Sequence, residues 1–363
     1  MSNIIIRVDG NKHIGLGHVM RCLSVADACV KVGHSVTFTI ADNSVENIVK
    51  DRGYEVIVLH SDYDKMDDEL PLWDVVDISN VDVVIVDSYY VTLRYLDSVR
   101  HKVNSLGGRL IYIDDVQAFA YPVDVLVNYN AYAEREAYED LYNSSDIRLP
   151  KLILGPSYAP LREMFCNVSR REQFKTVENV LVSTGGSDEL HLALGLARYI
   201  CKSSCDQQYI YHFLIGGMNA DRDKIYKLAS PCDDVVIHEN VSDMKSLITS
   251  VDLAVSAAGS TLYEICACGV PLITYVLADN QLLGAEVFER LGLAISVGDL
   301  RDADTVDTSI VMSEKLQGHA VERIMMAVEE LGSNYSKRVD MGRRMQEMID
   351  GRGAIRIVEE INK

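Results

Sequence analysis

Short apolar runs rich in Val and Ile recur at intervals of about 25 to 30 residues, with polar turns and stretches of helical apolar periodicity between them. Runs that are continuous rather than alternating suit parallel strands covered by helices on both faces. In the first half the pattern predicts strands over residues 3–8, 35–41, 55–59, 82–87, 109–114 and 124–128. In the second half it predicts strands over 179–183, 209–215, 235–238, 253–256, 272–275 and 294–297. Both halves open alike, with a strand, a turn carrying two glycines and an apolar-periodic helix, at Ile4 to Val32 and again at Val180 to Ile200.

This repetition predicts an α/β protein of two Rossmann-like, doubly wound domains facing each other across a cleft. Ligands are expected beyond the carboxyl ends of the strands. The expected boundaries are 1–155 for an N-terminal domain on the sugar and catalytic side and 156–341 for a C-terminal, nucleotide-side domain. A C-terminal helix at 342–363 is expected to complete the first domain. The tyrosine-rich stretch 129–145 and the loop around 155–171 read as the hinge region between them. Residues 336–361 read as helix, a break at Gly351 to Gly353, and an amphipathic helix with Ile355, Val358 and Ile361 on one side.

Composition narrows the partners. The 363 residues exceed what one hydrophobic core usually serves, which agrees with two domains. With 35 Lys and Arg against 54 Asp and Glu, the net charge of −19 argues against nucleic acid and against an anionic membrane surface. No apolar run approaches the roughly 18 residues of a membrane helix, and the first residues show no basic, apolar leader, so a cytoplasmic location is expected. The eight cysteines form no CxxC pair and no zinc-like spacing with histidine, so they read as reduced thiols and no metal is expected.

Three loops carry candidate chemistry. The first, Asp9 to His18, brings Gly15 and Gly17 to a helix start. It lacks the third glycine of a dinucleotide fingerprint and the GK[ST] of a Walker loop, so neither dinucleotide nor ATP binding follows. The positive end of a helix disfavours imidazolium, so His18 reads either as a general base or as a histidine that merely caps the helix. In the second loop, Ser183 to Asp188, the N–H groups of Gly185 and Gly186 and the hydroxyls of Thr184 and Ser187 suit phosphate, or Asp188 simply caps a tight turn. The third, Ser256 to Glu264, places Ser260 and Thr261 at a helix start with Glu264 one turn inside. Asn280 and Gln281 lie in a polar loop after the next strand, suited to a sugar or a phosphate or to a capped turn. The acidic pairs Asp67 with Asp68, Asp114 with Asp115, and Asp302 with Asp304 read as solvated loops rather than metal ligands.

The blocks Arg7 to Gly10, Ile14 to Leu23, Val86 to Tyr89, Ile113 to Asp115, Val127 to Tyr132, Gly155 to Phe165, Thr184 to Asp188, Gly259 to Glu264 and Asn280 to Gln281 resemble, in order, those of the UDP-sugar hydrolases of pseudaminic acid biosynthesis. That family is similar to spore-coat polysaccharide proteins and to the N-acetylglucosaminyltransferase of peptidoglycan synthesis. Ala258, Tyr263 and Ser88 depart from residues frequent in it.

The resemblance implies a GT-B-like fold and metal-independent hydrolysis of UDP-2,4-diacetamido-2,4,6-trideoxy-β-L-altropyranose to UDP and free sugar, without a cofactor. Carried onto this chain, it implies that His18 activates water while Asp87 and Tyr89 position sugar and water. Gly15, Gly17, Arg21 and Arg162 would line the substrate on the first domain, with Arg21 steadying its loop. Gly185, Gly186, Ser187, Ser260 and Thr261 would hold the diphosphate, Glu264 the ribose, Val241 the uracil, and Asn280 and Gln281 the sugar or phosphate. Other enzymes of the nonulosonic acid pathway are the implied partners. Two other readings compete: a glycosyltransferase with a UDP-sugar donor in surface polysaccharide synthesis, and a nucleotide-sugar-binding subunit without catalysis.

Overall fold

The computed structural model describes the chain apart from residues 1, 12, 72, 74–75, 77–79, 187, 189, 203–208 and 302–313. Two compact units emerge, one of Met1–Cys166 with Gly351–Lys363 and one of Asn167–Asp350.

The first unit is built on β1 (Asn3–Val8), β2 (Ser35–Ile40), β3 (Glu55–Val58), β4 (Val83–Asp87), β5 (Arg109–Ile113), β6 (Val125–Asn128) and β7 (Lys151–Leu154). The helices α1 (Gly17–Lys31), α2 (Glu46–Lys50), α3 (Leu93–Ser105) and α4 (Arg135–Asn143) connect them. All pairings are parallel, in the order β3-β2-β1-β4-β5-β6-β7. The strand order reverses direction at β1, which lies between β2 and β4 with Val8 opposite Asp87. Connections therefore leave in opposite senses at the carboxyl ends of β1 and β4, opening a crevice there.

The second unit carries β8 (Asn179–Ser183), β9 (Ile210–Leu214), β10 (Val235–His238), β11 (Leu253–Ala257), β12 (Leu272–Val276) and β13 (Ile295–Asp299) in the parallel order β10-β9-β8-β11-β12-β13. Its helices are α5 (Leu192–Lys202), α6 (Arg222–Ala229), α7 (Met244–Thr249), α8 (Thr261–Cys268), α9 (Leu282–Arg290), α10 (Glu314–Ser333) and α11 (Tyr335–Met348). The chain then returns to the first unit as α12 (Gly353–Ile361), which packs against α1 and buries Ala354, Ile357, Val358 and Ile361. The return is tight: a Cβ on Gly351, whose φ is +76°, would fall 2.0 Å from the Phe165 carbonyl oxygen.

Two expectations change. Strand β7 was not anticipated, because the four-residue run Lys151 to Leu154 is too short to show a period. The tyrosine-rich stretch 129–145 is not a hinge but part of the first unit's core. Tyr138 and Tyr142 of α4 are buried, the Tyr138 hydroxyl donating to Asp114 Oδ2 at 2.5 Å and the Tyr142 hydroxyl to the Tyr121 carbonyl at 2.7 Å. A phenol satisfied in this way buries its ring without leaving a polar group unpaired.

Candidate active site

At the reversal point of the first sheet, α1 starts at Gly17 directly after the β1 loop. That loop is closed by Gly15, whose N–H donates to the Asn11 carbonyl at 2.8 Å and whose φ of +75° only glycine adopts freely. His18 and Arg21, three residues apart on α1, share one helical face. Both reach Asp87 at the end of β4. His18 Nδ1 lies 2.5 Å from Asp87 Oδ1, and Arg21 binds the same carboxylate through Nε to Oδ2 at 2.6 Å and Nη2 to Oδ1 at 2.5 Å. Arg21 Nη1 continues to Asp115 Oδ2 at 2.6 Å and to the Tyr129 hydroxyl at 2.9 Å. Asp115 Oδ1 accepts from Asn130 Nδ2 at 2.8 Å.

Asp87 is fully buried. Burial pushes its carboxyl up, but Arg21 and His18 outweigh this and hold it below its ordinary value. An ionised carboxylate only accepts, so the contact with Asp87 favours the tautomer with its proton on Nδ1, in which the lone pair is on Nε2; Arg21 Nη2 also lies 3.0 Å from Nδ1. The Tyr89 ring stands edge-on to the imidazole, with centroids 4.3 Å apart, and its hydroxyl is 3.4 Å from Asp115 Oδ2. His18, Asp87, Tyr89, Asp9, Ile14, Ser88 and Tyr90 line a small pocket.

This geometry bears on three expectations. Both oxygens of Asp87 are engaged by His18 and Arg21, which holds the carboxylate against the imidazole. Arg21 does more than steady the loop, since it joins the ends of β4, β5 and β6. The pair Asp114 and Asp115 is not a solvated turn: Asp114 is fully buried, accepting from Tyr138 and Tyr121, and so fixes the loop that presents Asp115.

A second buried network lies behind the pocket. Arg7 donates through Nη1 to Asp9 Oδ2 at 2.6 Å and through Nε to Glu69 Oε2 at 2.9 Å, and Asp9 Oδ1 accepts the Ala41 N–H at 2.8 Å. Burial raises the Asp9 carboxyl although Arg7 opposes it. No local pattern points to this set, because Glu69 lies 62 residues from Arg7 in a stretch that reads as acidic loop.

Arg162 stacks its guanidinium over Phe165 at 5.3 Å, in the segment that carries the chain out of the first unit.

In the second unit, Gly185 and Gly186 form the turn after β8, with φ of +83° at Gly185. The turn is packed from behind by Gly216, where a Cβ would lie 2.4 Å from the Gly186 carbonyl oxygen. Ser187 lies outside the described residues, as do Asp302 and Asp304. Asp188 caps the helix, though from three residues before the N-cap position held by His191: its carboxylate accepts the N–H groups of Leu192 and Ala193, both at 3.0 Å, at the start of α5. Those two donors are therefore occupied. Burial pushes the Asp188 carboxyl up to about 6. Thr184 Oγ1 is buried and, among the described residues, has no hydrogen-bond partner, an arrangement that costs about 1–3 kcal/mol unless a ligand supplies one.

Helix α8 starts after Ser260 without a side-chain cap; Ser260 is exposed, and Thr261 and Glu264 are half-buried. Val241 follows β10 in the loop before α7. Asn280 is exposed, whereas Gln281 Oε1 is turned inward to accept the Leu277 N–H at 2.8 Å. Among the described residues no cluster of three or more His, Cys, Asp or Glu could hold a metal, and no helix is long and apolar enough to cross a membrane.

No protein-family model matches the chain. It is 27% identical over 293 residues to an uncharacterized protein of Methanocaldococcus jannaschii, covering 77% of this chain and 56% of that one. It is 25% identical over 206 residues to the spore coat polysaccharide biosynthesis protein SpsG of Bacillus subtilis, covering 56% of each. To the UDP-2,4-diacetamido-2,4,6-trideoxy-β-L-altropyranose hydrolase of Campylobacter jejuni it is 24% identical over 270 residues, 70% of this chain and 85% of that enzyme. The chain thus spans little more than half the length of the first two relatives. Among solved structures, MurG of Acinetobacter baumannii superposes with a TM-score of 0.62 at 14% identity over 100% of this chain and 99% of its own. The kitacinnamycin glycosyltransferase superposes with a TM-score of 0.63 at 18% identity over 99% and 98%. Two parallel-sheet units and these neighbours identify a GT-B-like fold, in a chain distantly related to the altropyranose hydrolase, to the spore-coat protein and to MurG-like transferases.

Proposed function

We propose that the protein is a metal-independent UDP-sugar hydrolase acting on UDP-2,4-diacetamido-2,4,6-trideoxy-β-L-altropyranose. The observation that carries this reading is the carboxylate-bound imidazole of His18 at the sheet's reversal point. Asp87 keeps the Nδ1 proton in place, so Nε2 is the atom that takes a proton from water. The resulting imidazolium is stabilised by the same carboxylate. The water oxygen then bonds to the anomeric carbon, the bond from that carbon to the diphosphate oxygen breaks, and UDP leaves with the electron pair.

Arg21 and Asp115 hold Asp87 and Tyr89 in register with His18. In the second unit the turn of Gly185 and Gly186, the hydroxyls of Ser260 and Thr261 and the buried Thr184 hydroxyl bind the diphosphate. Glu264 takes the ribose and Val241 the uracil, while Arg162 and the exposed Asn280 contact the substrate. Stabilising charge on the leaving group through fixed N–H and O–H dipoles is the largest single contribution expected of such a site. The distant relationship to the Campylobacter jejuni hydrolase supports the choice of sugar.

The test is UDP release from this nucleotide sugar and from UDP-N-acetylglucosamine, with a chelator present and no acceptor. Release from the first alone is expected. Release from neither, followed by turnover once a lipid or saccharide acceptor is added, would establish a transferase instead.

A further inference from the structure

The hydrolase reading assigns no part to the aromatic rim of the pocket, where Tyr90 lines the cavity beside His18, Asp87 and Ser88. Tyr90 follows β4 and is 37% exposed, although its backbone is firmly held. Its N–H donates to Ser88 Oγ at 3.1 Å, and the Ser88 carbonyl accepts the hydroxyl of fully buried Tyr112 at 3.0 Å. The Tyr63 ring meets Tyr90 edge-on, with centroids 5.4 Å apart and planes at 75°. The Tyr90 ring is thus held half-open to solvent at the carboxyl end of β4, on a loop whose anchor is part of the core, with Tyr63 from the loop after β3 set against it.

The pocket is consequently two-faced. Asp9, His18, Asp87 and Ser88 make it polar within, and Tyr90, braced from behind the lining by the Tyr63 ring, gives it an uncharged aromatic wall. A pyranose is amphipathic in the same way, with hydroxyls and amides at its edge and C–H or methyl groups on its face. Rigid aromatic rings recover free energy by covering such a face while the polar groups fix orientation.

We propose that Tyr90, its ring braced by Tyr63, forms the subsite for the apolar face of the substrate's sugar, selecting a pyranose that presents methyl or acetamido methyl groups to the ring. This rests on the hydrolase reading and extends it to two residues that take no part in proton transfer. The contact is made equally in ground and transition states, so it governs KM rather than kcat.

The test uses the full chain and UDP-2,4-diacetamido-2,4,6-trideoxy-β-L-altropyranose. Tyr90→Ala is expected to raise KM about tenfold with kcat little changed, and Tyr63→Ala to raise it about threefold, the range of a lost aromatic contact. Tyr90→Phe keeps the ring and is expected to match the parent protein. Because Tyr90 is exposed, an unchanged Tm should accompany these changes. A KM unaltered in Tyr90→Ala, or a Tyr90→Phe as impaired as Tyr90→Ala, overturns the subsite while leaving the hydrolase reading in place. If the parent protein releases no UDP, the hydrolase reading fails, and calorimetric binding of the same nucleotide decides the subsite. A tenfold weaker Kd for Tyr90→Ala supports it, whereas equal affinity, or no binding at all, overturns it.

Discussion

His18 and Asp87 are 69 residues apart in sequence, yet Nδ1 of the first lies 2.5 Å from Oδ1 of the second, because β1 and β4 are adjacent strands that end side by side. The contact assigns the two ring nitrogens different tasks. It also makes the pair separable by mutation.

His18→Phe is expected to reduce UDP release by at least about 10²-fold, the usual worth of a positioned base, while UDP binding stays within a few-fold. Asp87→Asn should lower kcat by a similar factor, because an amide in place of the carboxylate can turn its NH2 toward Nδ1 and favour the wrong tautomer. Steady-state rates together with UDP titration check both. Substantial turnover in His18→Phe would remove the general-base role.

Gly186 in the second unit's turn and Gly216 packed behind it make opposite predictions. A Cβ on Gly186 meets nothing closer than Met218 Cε at 3.4 Å, so Gly186→Val should fold normally yet block the approach of a diphosphate. Its UDP affinity is expected to fall by at least about tenfold, the loss of a hydrogen bond to a charged group. Gly216→Ala drives a Cβ into the Gly186 carbonyl and should instead lower Tm. Equal UDP affinity in Gly186→Val and the parent protein would mean that the phosphates sit elsewhere.

Asp188 should make stability depend on pH. Its carboxyl is raised by burial from 3.8 to about 6, so the folded state holds this proton more tightly than the unfolded chain does. The stabilising contribution is therefore present below pH 4 and is lost as the pH rises from about 4 to about 6, with an upper magnitude of about 3 kcal/mol. Urea unfolding of the parent protein and of Asp188→Asn across this range provides the check. The difference between their unfolding free energies should shift in favour of the variant as the pH rises, and a constant difference would contradict the assignment.

Much of the architecture is legible in the chain itself. Runs such as Ile4 to Ile6 and Val83 to Val86 are apolar on both faces, as strands sandwiched between helices must be, and the glycine turns before α1 and α5 mark where a strand passes into a helix. The candidate base was legible for the same local reason, since His18 sits where the first strand's loop meets a helix start. Arg21 follows from it by helical spacing.

What the sequence could not supply is every partner set by strand order. Asp87 and Asp115 meet Arg21 because β4 and β5 follow β1 across the sheet, an order that local periodicity does not encode. Likewise Asp114 looks like a solvated acidic residue until Tyr121 and Tyr138 close over it. Asp188 reads from the sequence as a capping residue, but that its carboxylate reaches past the turn to the first N–H groups of α5 and is buried there is set by the tertiary structure. Secondary structure is written in short-range patterns of hydrophobicity. The charge state and contacts of a polar side chain depend on desolvation and on groups brought from far along the chain, so only the tertiary structure decided which carboxylates serve the site and which hold the fold.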